Sequence, residues 1–207
     1  MRYPWQILAR LAAERVVAIV RASDAETAHK TAGEILGAGL GVIEVSLTTP
    51  GGLDVIADLR RAHPEVIVGA GTVLDATTAR LAVLAGAQLL ISPTLIEDVI
   101  ATGLRYGAVA IPGCVTPTEM MRALEFGAGA VKVFPSSAWT PDDLRGVRQA
   151  LPQLPLVPTG GLTVETAPEW IAAGAIAVGM GSSLTRGGSA RVRERVAALR
   201  GAFEAVP

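Results

Sequence analysis

Short apolar runs alternate with longer amphipathic segments along this chain. Runs rich in β-branched residues predict eight strands, because such side chains fit a pleated, buried surface. A helical pattern follows each run, and a further helix is predicted over Trp5–Glu14 before the first strand. The predicted strands are Val16–Arg21, Val42–Leu47, Val66–Gly71, Gln88–Ser92, Val109–Pro112, Ala130–Phe134, Leu156–Thr159 and Ile176–Gly179.

A recurring glycine separates many of these helical segments from the strand that follows. Each of these glycines stands where a helix would end and a β-rich run begins. The residue after a helix often takes a left-handed conformation, which glycine adopts at least cost, so we predict helix C-caps. The five positions are Gly39, Gly86, Gly107, Gly127 and Gly174.

Alternating strands and helices imply a parallel sheet with right-handed crossovers. Eight such units predict an α/β fold of the (β/α)8 TIM-barrel type with an extra N-terminal helix, as one domain over residues 1–207. The main alternative is an open doubly wound sheet. That fold usually has fewer units and a glycine-rich turn after its first strand, where this chain has Arg21-Ala22-Ser23.

Composition narrows the choice of partners. Half of the 207 residues are apolar and the net charge is −1, which disfavours nucleic acid and anionic membranes as partners. The single cysteine, Cys114, cannot form an intrachain disulfide, so we expect a reducing, cytoplasmic location. We expect neither a membrane span nor a metal site, because no segment or residue spacing fits one.

Lys132 is one of only two lysines and lies inside an apolar predicted strand. A buried ammonium is costly and tends to lose its proton. A neutral amine in a dry pocket is a nucleophile that can form a Schiff base with a carbonyl compound. The alternative is a structural lysine that caps the strand or pairs with a carboxylate.

Glu44 is a second charge inside an apolar predicted strand. Residues two apart share one face of a strand, so Lys132 faces the same way as Phe134, and Glu44 the same way as Ser46. The alternative is a structural ion pair that fills the barrel. We favour a catalytic pair because a buried ion pair contributes little stability.

Other candidates stand at the ends of predicted strands, where TIM barrels carry their active sites. Arg21 suits a carboxylate or phosphate ligand, or equally a surface ion pair. Thr72 is as easily a helix N-cap, and Pro93 a loop residue. The glycine-rich segments Thr159–Gly161 and Gly179–Ser183 follow strands seven and eight, and they indicate either a phosphate site or tight turns.

Several motifs occur in an order that resembles a known family, the class I aldolases for 2-keto-3-deoxy-6-phosphogluconate (KDPG) and 4-hydroxy-2-oxoglutarate (KHG). The resemblance extends from Val16 to Leu199. The motifs are Ile43-Glu44-Val45, Gly69-Ala70-Gly71-Thr72-Val73, Ile91-Ser92-Pro93, Pro112-Gly113, Val131-Lys132-Val133-Phe134-Pro135, Pro158-Thr159-Gly160-Gly161 and Gly181-Ser182.

The resemblance implies a homotrimeric (β/α)8 barrel that needs no metal or organic cofactor and acts on a phosphorylated 2-oxo acid. It makes Lys132 the Schiff-base lysine and Glu44 the general acid/base. Further implied contacts are Thr72 and Pro93 at the pyruvate end, with Phe134 packed against it. The implied phosphate-binding positions are Gly160, Gly161, Gly181 and Ser182.

One departure from the family concerns the substrate carboxylate. Many members have an arginine in the strand-2 loop, where this chain has Thr48. We count Thr48 among the substrate-binding candidates, and we hypothesise that Arg21 supplies the missing charge.

Two motifs point to different substrate epimers. The segment Phe134–Ala138 is similar to that of 6-phosphogalactonate relatives, whereas Thr159, a further substrate-binding candidate, favours the gluconate type. We predict cleavage of KDPG to pyruvate and glyceraldehyde 3-phosphate. The alternatives are the galactonate-type enzyme, a 4-hydroxy-2-oxoglutarate aldolase, and a non-catalytic phosphosugar-binding barrel.

Overall fold

A computed structural model describes residues 3–206, and it has an α/β fold built on parallel strands. The described strands are β1 Val16–Val20, β2 Val42–Ser46, β3 Ile67–Gly71, β4 Leu89–Ile91, β5 Val109–Ile111, β6 Gly113–Cys114, β7 Val131–Val133, β8 Leu156–Pro158 and β9 Val178–Met180. The described helices are α1 Pro4–Glu14, α2 Ala25–Gly37, α3 Gly52–Ala62, α4 Ala76–Leu84, α5 Glu97–Tyr106, α6 Pro117–Glu125, α7 Pro141–Ala150, α8 Ala167–Ala172, α9 Ser182–Thr185 and α10 Gly188–Glu204.

The strands form two sheets in which each pairing is parallel. Six strands pair in the order β5-β4-β3-β2-β1-β9, and three in the order β6-β7-β8. A parallel bridge between Thr159 and Gly179 connects the end of β8 to β9. This order places the carboxyl ends of the strands at one edge, where their loops meet.

Each predicted strand has a counterpart, but the bounds differ in a consistent way. The fifth predicted strand corresponds to β5, and the short strand β6 that follows Pro112 was not predicted. Six of the predictions run one residue too far at the carboxyl end, and the eighth, Ile176–Gly179, corresponds to β9 two residues later at its start and one at its end. The residues that extend beyond the strands are Arg21, Leu47, Ser92, Pro112, Phe134 and Thr159.

The core has two layers, as strand alternation requires. One cluster contains the helix-facing residues and the helices that cover them, including Val45, Val68 and Val133. The other contains inward-facing residues from the strands, including Val42, Ile67 and Ala130, together with Ile7 and Leu11 of α1. Positions two further along the strands, such as Glu44 and Lys132, therefore also point inward, above this second cluster.

The helix ends follow from local sequence. Asp24, Asp75, Thr116 and Thr140 are N-caps whose side chains accept hydrogen bonds from the first turn of the helix. The predicted left-handed conformation is confirmed, because all five glycines have positive φ, between 76° and 102°. Gly107 is itself the C-cap of α5, whereas the other four directly follow the C-cap residue of their helix. Each of these five helices therefore ends shortly before the next strand begins.

Candidate active site

One cavity of about 440 Å³ opens at the carboxyl ends of the strands. Its volume lies in the range of small-molecule sites. Every predicted site residue except Thr48 lines it. The lining residues are Ile19, Arg21, Glu44, Thr72, Pro93, Lys132, Phe134, Thr159, Gly160, Gly161, Leu162, Thr163, Gly179, Gly181, Ser182, Ser183 and Thr185.

Glu44 lies in the middle of β2 and is only 3% exposed. The neighbouring strand β3 leaves room for its side chain, because a Cβ at Gly71 would overlap the Glu44 carboxylate. Burial raises the pKa of Glu44, and the positive charges of Lys132 and Arg21 only partly oppose this shift. The protonated, neutral carboxyl group is thus favoured compared with a carboxylate in water.

Lys132 lies in the middle of β7 and is 7% exposed. Its Nζ lies 4.5 Å from the centroid of the Phe134 ring. Burial lowers the pKa of Lys132; the Glu44 carboxylate opposes the shift, and the like charge of Arg21 adds to it. Burial therefore outweighs the opposing effect of the Glu44 carboxylate on the pKa of Lys132.

These two residues form a coupled pair. Within residues 3–206, neither side chain makes a hydrogen bond or an ion pair to another residue, and their interaction is through space. A lowered lysine pKa and a raised glutamate pKa both favour the neutral amine and the neutral carboxyl group. That proton distribution provides a nucleophile and a proton donor together.

A hydroxyl network joins the loops after β1, β2 and β3. The buried Ser46 hydroxyl lies 3.4 Å from Arg21 Nε, 2.9 Å from Thr48 Oγ1 and 3.1 Å from Thr72 Oγ1. Thr72 has φ of 59° and lines the cavity, and the N-cap of the following helix is Asp75, not Thr72.

Thr48 differs from the other candidates. It is exposed and does not line the cavity, although its hydroxyl contacts Ser46. The turn that follows β2 accounts for this, because the Thr49 amide donates to the Ser46 carbonyl and bends the chain away from the cavity. The structure thus brings Arg21, and not Thr48, to the cavity wall.

The loops after β8 and β9 form the uncharged part of the wall. Gly160 and Gly161 have φ of 94° and 84°, a backbone conformation that other residues adopt only with strain. The buried Ser136 hydroxyl donates to the Gly160 carbonyl, and Thr159 packs where a side chain at Gly179 would lie. Gly181 and Ser182 complete this part of the wall.

Sequence reasoning missed several lining residues. Ile19 shares a face with Arg21, so strand alternation could have identified it. Ser46 does not line the cavity, and its shared face with Glu44 was predicted, but its network with Arg21 and Thr72 had no signal in the sequence. Leu162 and Thr163 follow the glycines of the β8 loop, where no periodicity indicates which side chain faces inward.

Three other features could indicate a function in the described residues: a reactive cysteine, a metal site and a membrane-spanning helix. Cys114 is buried, and burial with the nearby Glu119 charge raises the pKa of its thiol to about 12, which keeps it protonated at neutral pH. Within residues 3–206, no group of three or more His, Cys, Asp or Glu side chains could hold a metal ion. None of the helices in that range is long and apolar enough to cross a membrane.

Known proteins with similar sequences indicate the family to which this chain is related. A family profile described as "KDPG and KHG aldolase" matches residues 7–198. The 2-dehydro-3-deoxy-6-phosphogalactonate aldolase of Escherichia coli is 35% identical over 91% of this chain and 92% of its own. The 2-dehydro-3-deoxy-phosphogluconate aldolase of Treponema pallidum is 34% identical over 76% of each chain.

A solved structure supports the same assignment. The KDPG aldolase of Legionella pneumophila, with pyruvate captured as a covalent carbinolamine, has a TM-score of 0.81 and 27% identity over 99% of this chain and 98% of its own. The fold, the cavity and these relatives define a lyase of the class I, Schiff-base type. The chain belongs to the KDPG and KHG aldolase family. The predicted resemblance is confirmed, and the non-catalytic alternative is excluded.

Proposed function

We propose that the protein cleaves KDPG to pyruvate and glyceraldehyde 3-phosphate, with Lys132 as the Schiff-base lysine. The observation that carries this proposal is the pair of opposed pKa shifts at Lys132 and Glu44 in one cavity. A structural ion pair would be held in its charged form, whereas this pair is shifted towards its neutral form. The membership of the chain in a Schiff-base family supports the same assignment.

The reaction begins with addition of the neutral Lys132 amine to the C2 carbonyl of the substrate. Glu44, directly or through one water, donates the proton that lets the C2 oxygen leave as water, which produces a cationic iminium. The Glu44 carboxylate then removes the proton of the C4 hydroxyl group. The C3–C4 bond breaks, its electron pair forms the enamine, and C4 leaves as the aldehyde of glyceraldehyde 3-phosphate.

The second half of the reaction restores the enzyme. Glu44 returns the proton to C3 of the enamine, and water hydrolyses the resulting iminium to release pyruvate and the free Lys132 amine. Phe134 lies under the amine and, with Thr72 and Pro93, encloses the pyruvate part of the substrate in this proposal. A partly apolar enclosure favours the neutral amine that starts each cycle.

Arg21 is our candidate for binding the substrate carboxylate. It lines the cavity, and its charge acts on both Lys132 and Glu44. A guanidinium group binds carboxylates in a fixed, two-pronged geometry. We do not extend this role to Thr48, because its side chain is exposed outside the cavity.

We assign the substrate phosphate to the loops after β8 and β9. Gly160 and Gly161 let the backbone approach an anion closely, and Gly181 and Ser182 add further backbone and hydroxyl donors. Thr159 lines the same cavity as Lys132, directly before Gly160 in the chain, and in this proposal contacts the middle of the substrate. The phosphorylated compounds in the names of the relatives support a phosphate at this position.

The galactonate epimer of the substrate is the second candidate. The galactonate-type relative in E. coli matches 91% of this chain, whereas the gluconate-type relative in T. pallidum matches 76%. Rates on both C4-epimeric phosphorylated substrates and on 4-hydroxy-2-oxoglutarate would decide the matter. We expect the highest kcat/KM with KDPG; a higher value with its epimer would reassign the substrate and leave the Schiff-base mechanism intact.

We further propose that residues 1–207 form one domain whose strands close into an eight-stranded barrel with α1 as an extra N-terminal helix. The Thr159–Gly179 bridge and the hydrogen bond from the Lys132 amide to the Pro112 carbonyl support closure on both sides of the smaller sheet. Ile7 and Leu11 of α1 pack with the inward-facing cluster. A single cooperative unfolding transition is expected; two separate transitions would contradict one domain.

We propose that the protein is a cytoplasmic homotrimer. Large apolar side chains of α4 and α5 are exposed in the single chain, among them Leu84 at 64% and Leu104 at 60%, and a second copy would cover them. The single cysteine fits a reducing compartment. Light scattering should give three times the 21.3 kDa chain mass, and cell fractionation should place the protein with cytoplasmic markers.

A further inference from the structure

The arginine at the cavity wall needs something to hold it in place. Arg21 lies one residue beyond β1 and its side chain is exposed overall. A free arginine side chain loses rotamer entropy when it is ordered. An arginine that is already oriented binds its ligand without that cost.

Two side-chain hydroxyls, one from the last residue of β2 and one from the turn that follows it, contact the loop after β1. The Ser46 hydroxyl lies 3.4 Å from Arg21 Nε, within hydrogen-bond distance. The amide of Ala22, the next residue, donates to the Thr49 hydroxyl at 3.1 Å. One hydroxyl therefore holds the guanidinium and the other holds the adjacent backbone.

The two hydroxyls are themselves held firmly. Ser46 is fully buried and Thr49 is 2% exposed. The Thr49 amide donates to the Ser46 carbonyl at 3.0 Å, and the Gly52 amide donates to the Thr49 carbonyl at 3.0 Å. A rigid turn thus presents both hydroxyls to the loop after β1.

We propose that Ser46 and Thr49 are positioning residues that orient Arg21 towards the carboxylate of the 2-oxo acid. This inference rests on the proposed role of Arg21 in carboxylate binding. It predicts a hydroxyl pair that never touches the substrate and yet governs how strongly the enzyme prefers a charged ligand to a neutral one. Removing either hydroxyl should therefore weaken the selection for a carboxylate and leave the chemistry at Lys132 unchanged.

The test uses borohydride trapping of the Schiff base at varied concentrations of pyruvate and of its neutral analogue pyruvamide. The half-saturating concentration of each compound reports its binding. Arg21→Gln should raise the value for pyruvate by roughly 10- to 100-fold, because a charge-assisted contact is lost. Ser46→Ala and Thr49→Val should each raise it by about fivefold. Thr49→Val should leave the value for pyruvamide unchanged, and Ser46→Ala, which also removes a contact with Thr72, should raise it by less than the value for pyruvate.

Two further variants separate positioning from general damage. Ser46→Thr keeps a hydroxyl and should restore the wild-type value. Thr102→Val removes another buried hydroxyl, which bonds to the Asp98 carbonyl within α5, and it should change neither value. The double variant Arg21→Gln/Ser46→Ala should be no weaker than Arg21→Gln alone, because both changes act on one contact.

The outcomes distinguish the inference from the proposed function. If Ser46→Ala weakens pyruvate and pyruvamide equally, or adds its full effect to that of Arg21→Gln, the positioning role is wrong. If Arg21→Gln leaves the preference for pyruvate unchanged, the carboxylate role of Arg21 fails and the positioning role fails with it. Absence of any trapped adduct on the wild-type protein would instead overturn the Schiff-base function itself.

Discussion

The base and the rim of the cavity are built from different kinds of residues. The base consists of Lys132 and Glu44, which project from β7 and β2 above the apolar interior. The rim consists of the loops after β8 and β9, where Gly160, Gly161 and Ser182 line the cavity without a charged side chain. In the proposed mechanism, Lys132 and Glu44 at the base transfer protons, whereas the rim binds an anion with little change in local pKa values.

In the proposed mechanism, this difference separates bond breaking from substrate binding within one cavity. Burial changes the protonation of Lys132 and Glu44, because charges at the base of the cavity have little water around them. Backbone and hydroxyl groups of the rim do not titrate, so their donors stay the same at all working pH values. We therefore expect changes at the base to affect kcat and changes at the rim to affect KM.

The largest effect is expected from Lys132→Ala. Without the nucleophile, kcat should fall by at least about 10⁴-fold, while the thermal unfolding temperature should not fall, because a costly buried amine has been removed. Lys30 is the other lysine in the sequence; it is exposed on α2, so Lys30→Ala is the matched control and should keep full activity. Turnover retained in Lys132→Ala would remove the Schiff-base role of this residue.

Glu44→Gln should have the next largest effect. The amide keeps the shape but cannot transfer protons, so kcat should fall by about 10²- to 10⁴-fold. Pyruvate adduct formation should become slower and should still occur on Lys132. A variant with unchanged kcat would assign the proton transfers to another group.

Arg21→Gln should shift the pH dependence of Lys132 and Glu44 at the base of the cavity. Removing this positive charge should raise the pKa of Lys132 and also that of Glu44, because Arg21 lowers both. The neutral amine then appears only at higher pH, so the pH profile for trapping of pyruvate should move upward. The exposed Arg193→Gln on α10 is the control, and an equal shift there would show that only net charge matters.

The smallest effect is expected at the rim. Ser182→Ala should remove one neutral hydrogen bond and raise KM for the phosphorylated substrate by about two- to tenfold, with kcat nearly unchanged. The same variant measured on unphosphorylated 4-hydroxy-2-oxoglutarate is its own control and should behave like the wild type. Equal losses on both substrates would argue against phosphate binding at this position.

The difference between the strand residues of the base and the loop residues of the rim also explains which site residues could be predicted from the sequence. Lys132 and Glu44 were identifiable because a charge inside an apolar strand is unusual, and strand alternation gave their direction. The order of strands and helices followed from periodicity, and the glycine caps from the need for a left-handed residue. The short strand β6 was missed, because its two residues follow Pro112, where the predicted strand ended.

Loop positions were harder to predict. Thr48 was a candidate because of its place in the strand-2 loop, but the turn after Ser46 directs it away from the cavity. Leu162 and Thr163 enter the cavity from a loop that has no repeating pattern. The hydroxyl network around Ser46 joins loops that meet only in the folded chain. Strand alternation could therefore predict the direction of the Ser46 side chain but not the residues that it contacts.

The central claim is that Lys132 forms a Schiff base, and reductive trapping tests it most directly. The protein would be incubated with pyruvate, reduced with borohydride, digested and mapped by mass spectrometry. We predict a reduced pyruvate adduct on the peptide that contains Lys132 and none on the peptide that contains Lys30. A folded protein without an adduct, or with the adduct on another residue, would contradict the account.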